Sequence, residues 1–215
     1  MSDLRAGVEQ LVEAVPPAAP GIGPVGPRAV ELLVRWLELV RTWNKKIDLT
    51  AAKDDAALVE LGVLDATWVA RSIPEGAKVV DVGTGFGAPG LALACLRPDL
   101  SLTLVEPLGK RATFLRTVVG AAKLVDQVEV REARGEDLAA AGERFAVAIS
   151  RATLAKEAWI ALGARLAPSV MVLLGREDLP PLEGLTVPAL QIASDQAYST
   201  RAGAARRVVR LVTSG

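Results

Sequence analysis

The 215-residue sequence contains no histidine, one cysteine and no excess of either charge, with Lys+Arg and Asp+Glu both at 25. The missing histidine removes imidazole from any mechanism and argues against a zinc site, so we expect no metal. Cys95 stands alone, which excludes an internal disulfide and fits a reducing compartment. Zero formal net charge excludes a global field that would draw the chain onto nucleic acid. The spread is uneven, however: residues 196–215 carry Arg201, Arg206, Arg207 and Arg210 with no acid. No apolar run approaches the roughly 18 residues of a membrane span, and the N-terminus lacks the basic start, apolar stretch and cleavage site of a secretory leader. These absences predict a cytoplasmic protein with no membrane partner.

What is present is a hydrophobic composition of 51%, enough for one large core with a small helical appendage. Residues 3–14 read as a short helix. The stretch PPAAPGIGPVGP that follows is too rich in proline and glycine for helix or ladder, so residues 1–27 are expected to be an arm and linker. From Arg28, the apolar positions Leu32, Trp36, Val40 and Trp43 recur at three- and four-residue steps and predict an amphipathic helix ending near Asn44. A second helix is expected from Asp55 to Arg71, making residues 28–73 a helical cap. Trp36, Trp43 and Trp68 are expected to form its seam with the next domain.

After Pro74 the texture changes. KVVDVG, SLTLVE, QVEVRE, FAVAIS and SVMVLLG alternate with helical patterns, the sequence form of parallel βαβ units. Leu108, Ala112, Leu115, Val119 and Ala122 supply the buried stripe of one such helix. Right-handed crossovers and short connections then predict an α/β, Rossmann-like doubly wound sheet over residues 74–215. It should be mostly parallel, with RRVVRLV as an antiparallel edge strand.

Ligands of such sheets sit at the carboxyl ends of the strands. DVGTGFGAPG, residues 81–90, occupies that place after the first strand. Gly83, Gly85 and Gly87 permit positive φ and let a ligand touch main chain, and Pro89 suits the first turn of the next helix, whose N-terminus favours an anionic group. Two cofactors fit. Gly85, Gly87 and Gly90 satisfy the dinucleotide spacing G-x-G-x-x-G, though two residues late and with Pro89 inside it. S-adenosylmethionine has no phosphate, and the run Gly83, Gly85, Gly87 directly after Asp81 suits its methionine end. Glu106 closes the second strand and could accept from the ribose hydroxyls of either. REARGED, ending the third strand, would bring Gly135 and Glu136 beside the adenine.

The string from DVGTGFGAPG through LGKRATFLRTVV, with WNKKIDLT upstream and ISRA downstream, resembles the bacterial small-subunit ribosomal RNA guanine-N7 methyltransferases, or glucose-inhibited division protein B family, from about Val30 to Val209. The resemblance implies S-adenosylmethionine as cofactor, contacts to it from Gly83, Ala88, Gly135, Glu136 and Arg151, and small-subunit ribosomal RNA in a partly assembled particle as partner. Three departures stand out. Gly62 and Ala66 replace the histidine and serine of an H-x-x-D-S string that keeps Asp65, Leu174 replaces a lysine, and Asp48 replaces the asparagine of N-L-T.

The chemistry tolerates the missing histidine. Methyl transfer from a sulfonium is an in-line displacement, and guanine N7 offers a lone pair with no proton to lose, so no general base is needed. Cys95 sits in an apolar helix and reads as core rather than nucleophile. Arg151, after the fourth strand, is the polar residue expected in the active site. Lys110, Arg111, Arg201, Arg206 and Arg207 are expected phosphate contacts. A relative that methylates a small molecule or protein, or a cofactor-binding assembly protein without turnover, remains compatible with the same loop.

Overall fold

The computed structural model describes residues 3–14, 25–151, 153–186 and 189–213. Most of the expected linker therefore lies outside the described residues, as does Ala152 of the ISRA string. Helix α1 (Asp3–Ala14) buries Leu4 and Val8 completely, against α2 (Pro27–Trp43) and α3 (Asp55–Val59). Pro27 begins α2, where its missing N–H is no loss, and Asn44 caps the other end. The buried face of α2 is Val30, Leu33, Val34, Trp36, Leu37 and Val40, rotated from the expected stripe so that Leu32 and Trp43 are only half-buried. The second cap helix is real but not regular. After α3 the chain makes a π-helical turn, Glu60–Leu64, then α4 (Asp65–Val69) and a 3-10 turn, Ala70–Ser72.

The rest alternates strand and helix: β1 (Lys78–Val82), α5 (Gly90–Leu96), β2 (Ser101–Val105), α6 (Gly109–Ala121), β3 (Val128–Arg131), α7 (Gly135–Ala140), β4 (Val147–Ser150), α8 (Lys156–Leu166) and β5 (Ser169–Leu174). The hairpin β6 (Leu190–Ser199) and β7 (Ala205–Thr213) follows. Spatial order is β3-β2-β1-β4-β5-β7-β6, with β1 to β5 parallel and β7 antiparallel to both neighbours. The last strand is thus antiparallel, as its sequence predicts, but interior. The edge belongs to β6, whose polar string QIASDQAYS gave no strand signal.

Alternation along β1 builds two layers. Val79 faces the cap, α5 and α6, and packs in one cluster with Leu4, Leu37, Leu91, Phe114 and Val208. Val80 and Val82 face α7 and α8 and pack with Leu138, Ile160 and Val170. Cap and sheet therefore share a core. The three tryptophans expected at the seam all reach across it. Trp36 stacks on Phe86 at 5.7 Å, Trp43 tilts on Phe114 at 5.6 Å, and Trp68 stacks on Tyr198 at 5.0 Å.

Of the departures from the family string, Asp48 is exposed and the others are buried. Gly62 is buried, and a Cβ there would stand 2.9 Å from Leu37 Cδ2 with the Trp36 ring just beyond, so the cap closes into space a histidine would fill. Ala66 and Leu174 are buried as well. Leu108, expected on the buried stripe of α6, instead precedes the helix and is 54% exposed, and Phe114 and Val118 complete that stripe.

Candidate cofactor and active site

Strand order reverses between β1 and β4, and the loops leaving these two strands flank the switch point where doubly wound sheets place ligands. The loop after β1 holds Gly83, Gly85 and Gly87 at φ of +69, +60 and +108°, conformations that a side chain rarely adopts. It is pinned from below. Gly83 N–H donates to the Val105 carbonyl at 2.8 Å, and Asp81, on the same face as Val79, accepts at Oδ2 from Thr84 Oγ1 at 2.6 Å and Gly90 N–H at 2.9 Å. From the cap, Trp36 Nε1–H donates to the Phe86 carbonyl at 3.0 Å.

Only one of the three glycines offers bare main chain to a ligand. A Cβ at Gly83 would overlap Thr153, whose hydroxyl donates to the Gly83 carbonyl at 3.2 Å, and one at Gly87 would overlap Leu91. At Gly85 it would meet nothing within 4 Å. Glu106 stands across from this opening. Its Oε2 accepts from Gly85 N–H at 3.0 Å and its Oε1 from Leu108 N–H at 2.9 Å. One N–H per oxygen leaves each with lone-pair capacity for a hydroxyl.

Asp81 is fully buried, and burial pushes its carboxyl up to about 6 against the bonds from Thr84 and Gly90. Oδ2 is committed to the loop, while Oδ1 has no hydrogen-bond partner. Asp81 thus shapes the loop, and an anion at the α5 N-terminus finds the Gly90 N–H already taken. Ala88 is buried beside it. Two of these features fit a nucleoside: open backbone at Gly85 and free acceptor capacity at Glu106.

Of the adenine candidates, Gly135 opens α7 and is explained by packing, since a Cβ would stand 2.7 Å from Val82 Cγ1. Glu136 beside it is exposed. Arg151 leaves β4 and points back to the cap. Its Nη1 donates to the Leu61 carbonyl and lies 3.2 Å from Asp65 Oδ2, with the guanidinium 5.8 Å from the Phe86 ring centroid.

The five basic candidates do not form one patch. Lys110 is exposed on the first turn of α6, near Glu106. Arg111 donates to the Asp48 carbonyl at 2.9 Å, so Asp48 serves the cap through its main chain. Arg201, Arg206 and Arg207 lie on the β6–β7 hairpin, four strand steps or about 20 Å along the sheet from β2. Arg201 bonds Gln10 through its guanidinium and Glu60 through its main-chain N–H, and Arg207 pairs with Asp195. Arg206 is half-buried opposite Tyr198.

A groove of about 430 Å³ lies elsewhere, at the amino ends of the strands, lined by Lys78, Ser101, Gln127 and Phe145 among others. Size alone does not mark the site, because the loops that carry conformational strain and open backbone are at the other pole.

The chain is similar to known proteins over most of its length. Residues 29–174 match the family model GidB, rRNA small subunit methyltransferase G. Ribosomal RNA small subunit methyltransferase G of Halorhodospira halophila is 40% identical over 171 residues, which cover 76% of this chain and 79% of that protein. The protein of the same name from Frankia alni is 40% identical over 157 residues, 71% of this chain but only 58% of the relative, so the match spans little more than half its length. Among solved structures, an O-methyltransferase from Bacillus cereus in complex with SAH shares the fold, with a TM-score of 0.56 at 17% identity over 83% of this chain and 90% of that one. With the family model matched over most of its length, the chain belongs to the rRNA small subunit methyltransferase G family.

Proposed function

We propose that the protein methylates N7 of a guanine in small-subunit ribosomal RNA, using S-adenosylmethionine. The observation that carries this reading is the opening at Gly85 facing Glu106, in a chain of this family. S-adenosylmethionine, when bound, supplies an electrophilic methyl on a sulfonium. Gly85 would offer its main chain, Glu106 would accept the ribose hydroxyls, and the Asp81 carboxylate beneath the loop favours a cationic tail. Gly83, Gly87, Ala88 and Gly135 support the loop and strand ends by close packing, while Glu136 and Arg151 border the cleft.

No residue of the chain has to take a proton, because N7 attacks with an existing lone pair and the product sheds none. Positioning is therefore the whole of the protein's task, consistent with a site that holds no histidine. A partly assembled small-subunit particle in the cytoplasm is the setting we propose, with Lys110 the basic residue best placed to meet a phosphate near the cleft. Among the described residues no helix is long and apolar enough to cross a membrane. Mass spectrometry of small-subunit ribosomal RNA from a strain lacking the protein should show one N7-methylguanosine missing and restored on complementation. An unchanged modification would overturn the RNA assignment, and calorimetry showing no S-adenosylmethionine binding would overturn the site.

A further inference from the structure

Arg151 is held by the cap in a way that its position after β4 does not require. Besides the Leu61 carbonyl, which lies on the π-helical turn Glu60–Leu64, it meets Asp65 at the start of α4. Asp65 is buried, and its two oxygens serve different donors: Oδ2 faces Arg151 at 3.2 Å, while Oδ1 accepts from Tyr198 Oη at 2.7 Å. Tyr198, the only tyrosine in the chain, comes from β6 at the far edge of the sheet and is itself fixed by its stack on Trp68. Burial and the neighbouring Asp65 push its phenol far above the ordinary range, so it stays a donor at every physiological pH. The carboxylate is thus pinned from one side and pins the arginine on the other. Arginine has a long flexible stem, and a charge-assisted bond to a fixed carboxylate narrows its rotamers.

We propose that Asp65, fixed by Tyr198, is a positioning residue for methyl transfer that holds the Arg151 guanidinium over the Phe86 ring at the rim of the glycine loop. This rests on the reading of Arg151 as a residue of the cofactor cleft. The π turn fits the role, since such turns gather at functional sites, and here it brings the Leu61 carbonyl and Asp65 to one guanidinium. Its neighbours Gly62 and Ala66 are taken up in core packing, which leaves Asp65 the polar group of this turn facing Arg151.

A double-mutant cycle tests the proposal on the full chain. Asp65→Asn should lower kcat/KM on unmodified small-subunit particles by about tenfold, and Tyr198→Phe by a smaller factor in the same direction. In an Arg151→Ala background, Asp65→Asn should add less than about twofold, because its effect runs through the arginine. Melting temperatures separate folding from function: a merely structural Asp65 would lower them equally in both backgrounds and cut activity independently of Arg151. Additive losses, or an Asp65→Asn protein with unchanged kcat/KM, would overturn the proposal. If the wild-type chain methylates no ribosomal RNA, the RNA reading fails by itself, and the same cycle is read from calorimetric S-adenosylmethionine affinity. An Arg151→Ala variant unaltered in both affinity and turnover would overturn the proposal and the reading of Arg151 together.

Discussion

Two buried charges at opposite ends of the sheet, Arg97 and Asp81, are handled in opposite ways. Arg97, in the connection from α5 to β2, is 1% exposed. It donates to the carbonyls of Ala70, Ile73 and Pro74 and grips Asp99 at 2.7 and 2.6 Å. Asp81, at the carboxyl end, has one oxygen without a partner and lies beneath three glycines at positive φ. Their pH signatures have opposite signs. The Arg97 guanidinium holds Asp99 down to about 2, so its stabilisation is present above the ordinary value of 3.8 and is lost as pH falls through about 2. Asp81 is raised to about 6, so folding is favoured while it is protonated, below 3.8, and that advantage disappears as pH rises through about 6. The polar cluster at the amino end is fully satisfied, and the one beneath the proposed cofactor opening is not.

Arg97→Ala should break the first region hardest. It strips three carbonyls and Asp99 of their donors in a packed junction, and removing one partner of a buried network costs about 3–5 kcal/mol. Denaturant unfolding should register that loss while S-adenosylmethionine affinity, measured under folded conditions, stays within about twofold. Gly85→Val should do the reverse. A branched side chain in the opening facing Glu106 should weaken cofactor binding by at least about 100-fold, or about 2.7 kcal/mol, with calorimetry as the measure. The positive φ also costs the folded state on the order of 1–2 kcal/mol. Retention of binding would show that the ligand does not use this opening.

The same contrast explains what the sequence could reveal. Parallel strands buried on both faces read as unbroken apolar runs, so β1, β2, β4 and β5 were legible, as were the glycine loop and Glu106. β6 was not. Its polar alternation at the sheet edge resembles a loop, and that hid Tyr198 and with it the partner of Asp65. Nor could spacing say which glycine faces a ligand: Gly83, Gly85 and Gly87 share positive φ, but Thr153 and Leu91 fill the space beside two of them, and these contacts exist only after folding. The arginines of β7 are clustered in sequence only. Strand alternation and ion pairing then dispersed them.

A smaller effect sharpens the Asp81 side. Replacing it with asparagine keeps an oxygen for Thr84 and Gly90 but removes the titration. The shift from 3.8 to about 6 sets a ceiling near 3 kcal/mol, and water entering a charged site brings our expectation to about 1–2 kcal/mol. Stability of the wild type relative to Asp81→Asn should therefore fall by that amount between pH 4 and pH 7. A flat difference would mean that the carboxylate is charged throughout and better solvated than its burial indicates.

The smallest effect concerns the basic residues, where the two ends of the carboxyl edge differ. Lys110 is exposed, near Glu106, and has no ion-pair partner among the described residues, whereas Arg207 is already committed to Asp195, with Nε at 3.1 Å from Oδ1. A phosphate meeting Lys110 releases a counterion, while one meeting Arg207 must first displace a carboxylate. Lys110→Ala should thus lower the magnitude of the log-affinity against log-salt slope for ribosomal RNA by about 1 and weaken binding a few-fold. Arg207→Ala should leave the slope unchanged. Equal slopes for wild type and Lys110→Ala, with a change for Arg207→Ala, would move the RNA path from the glycine-loop side of the sheet to the hairpin side, roughly 20 Å away across the strands.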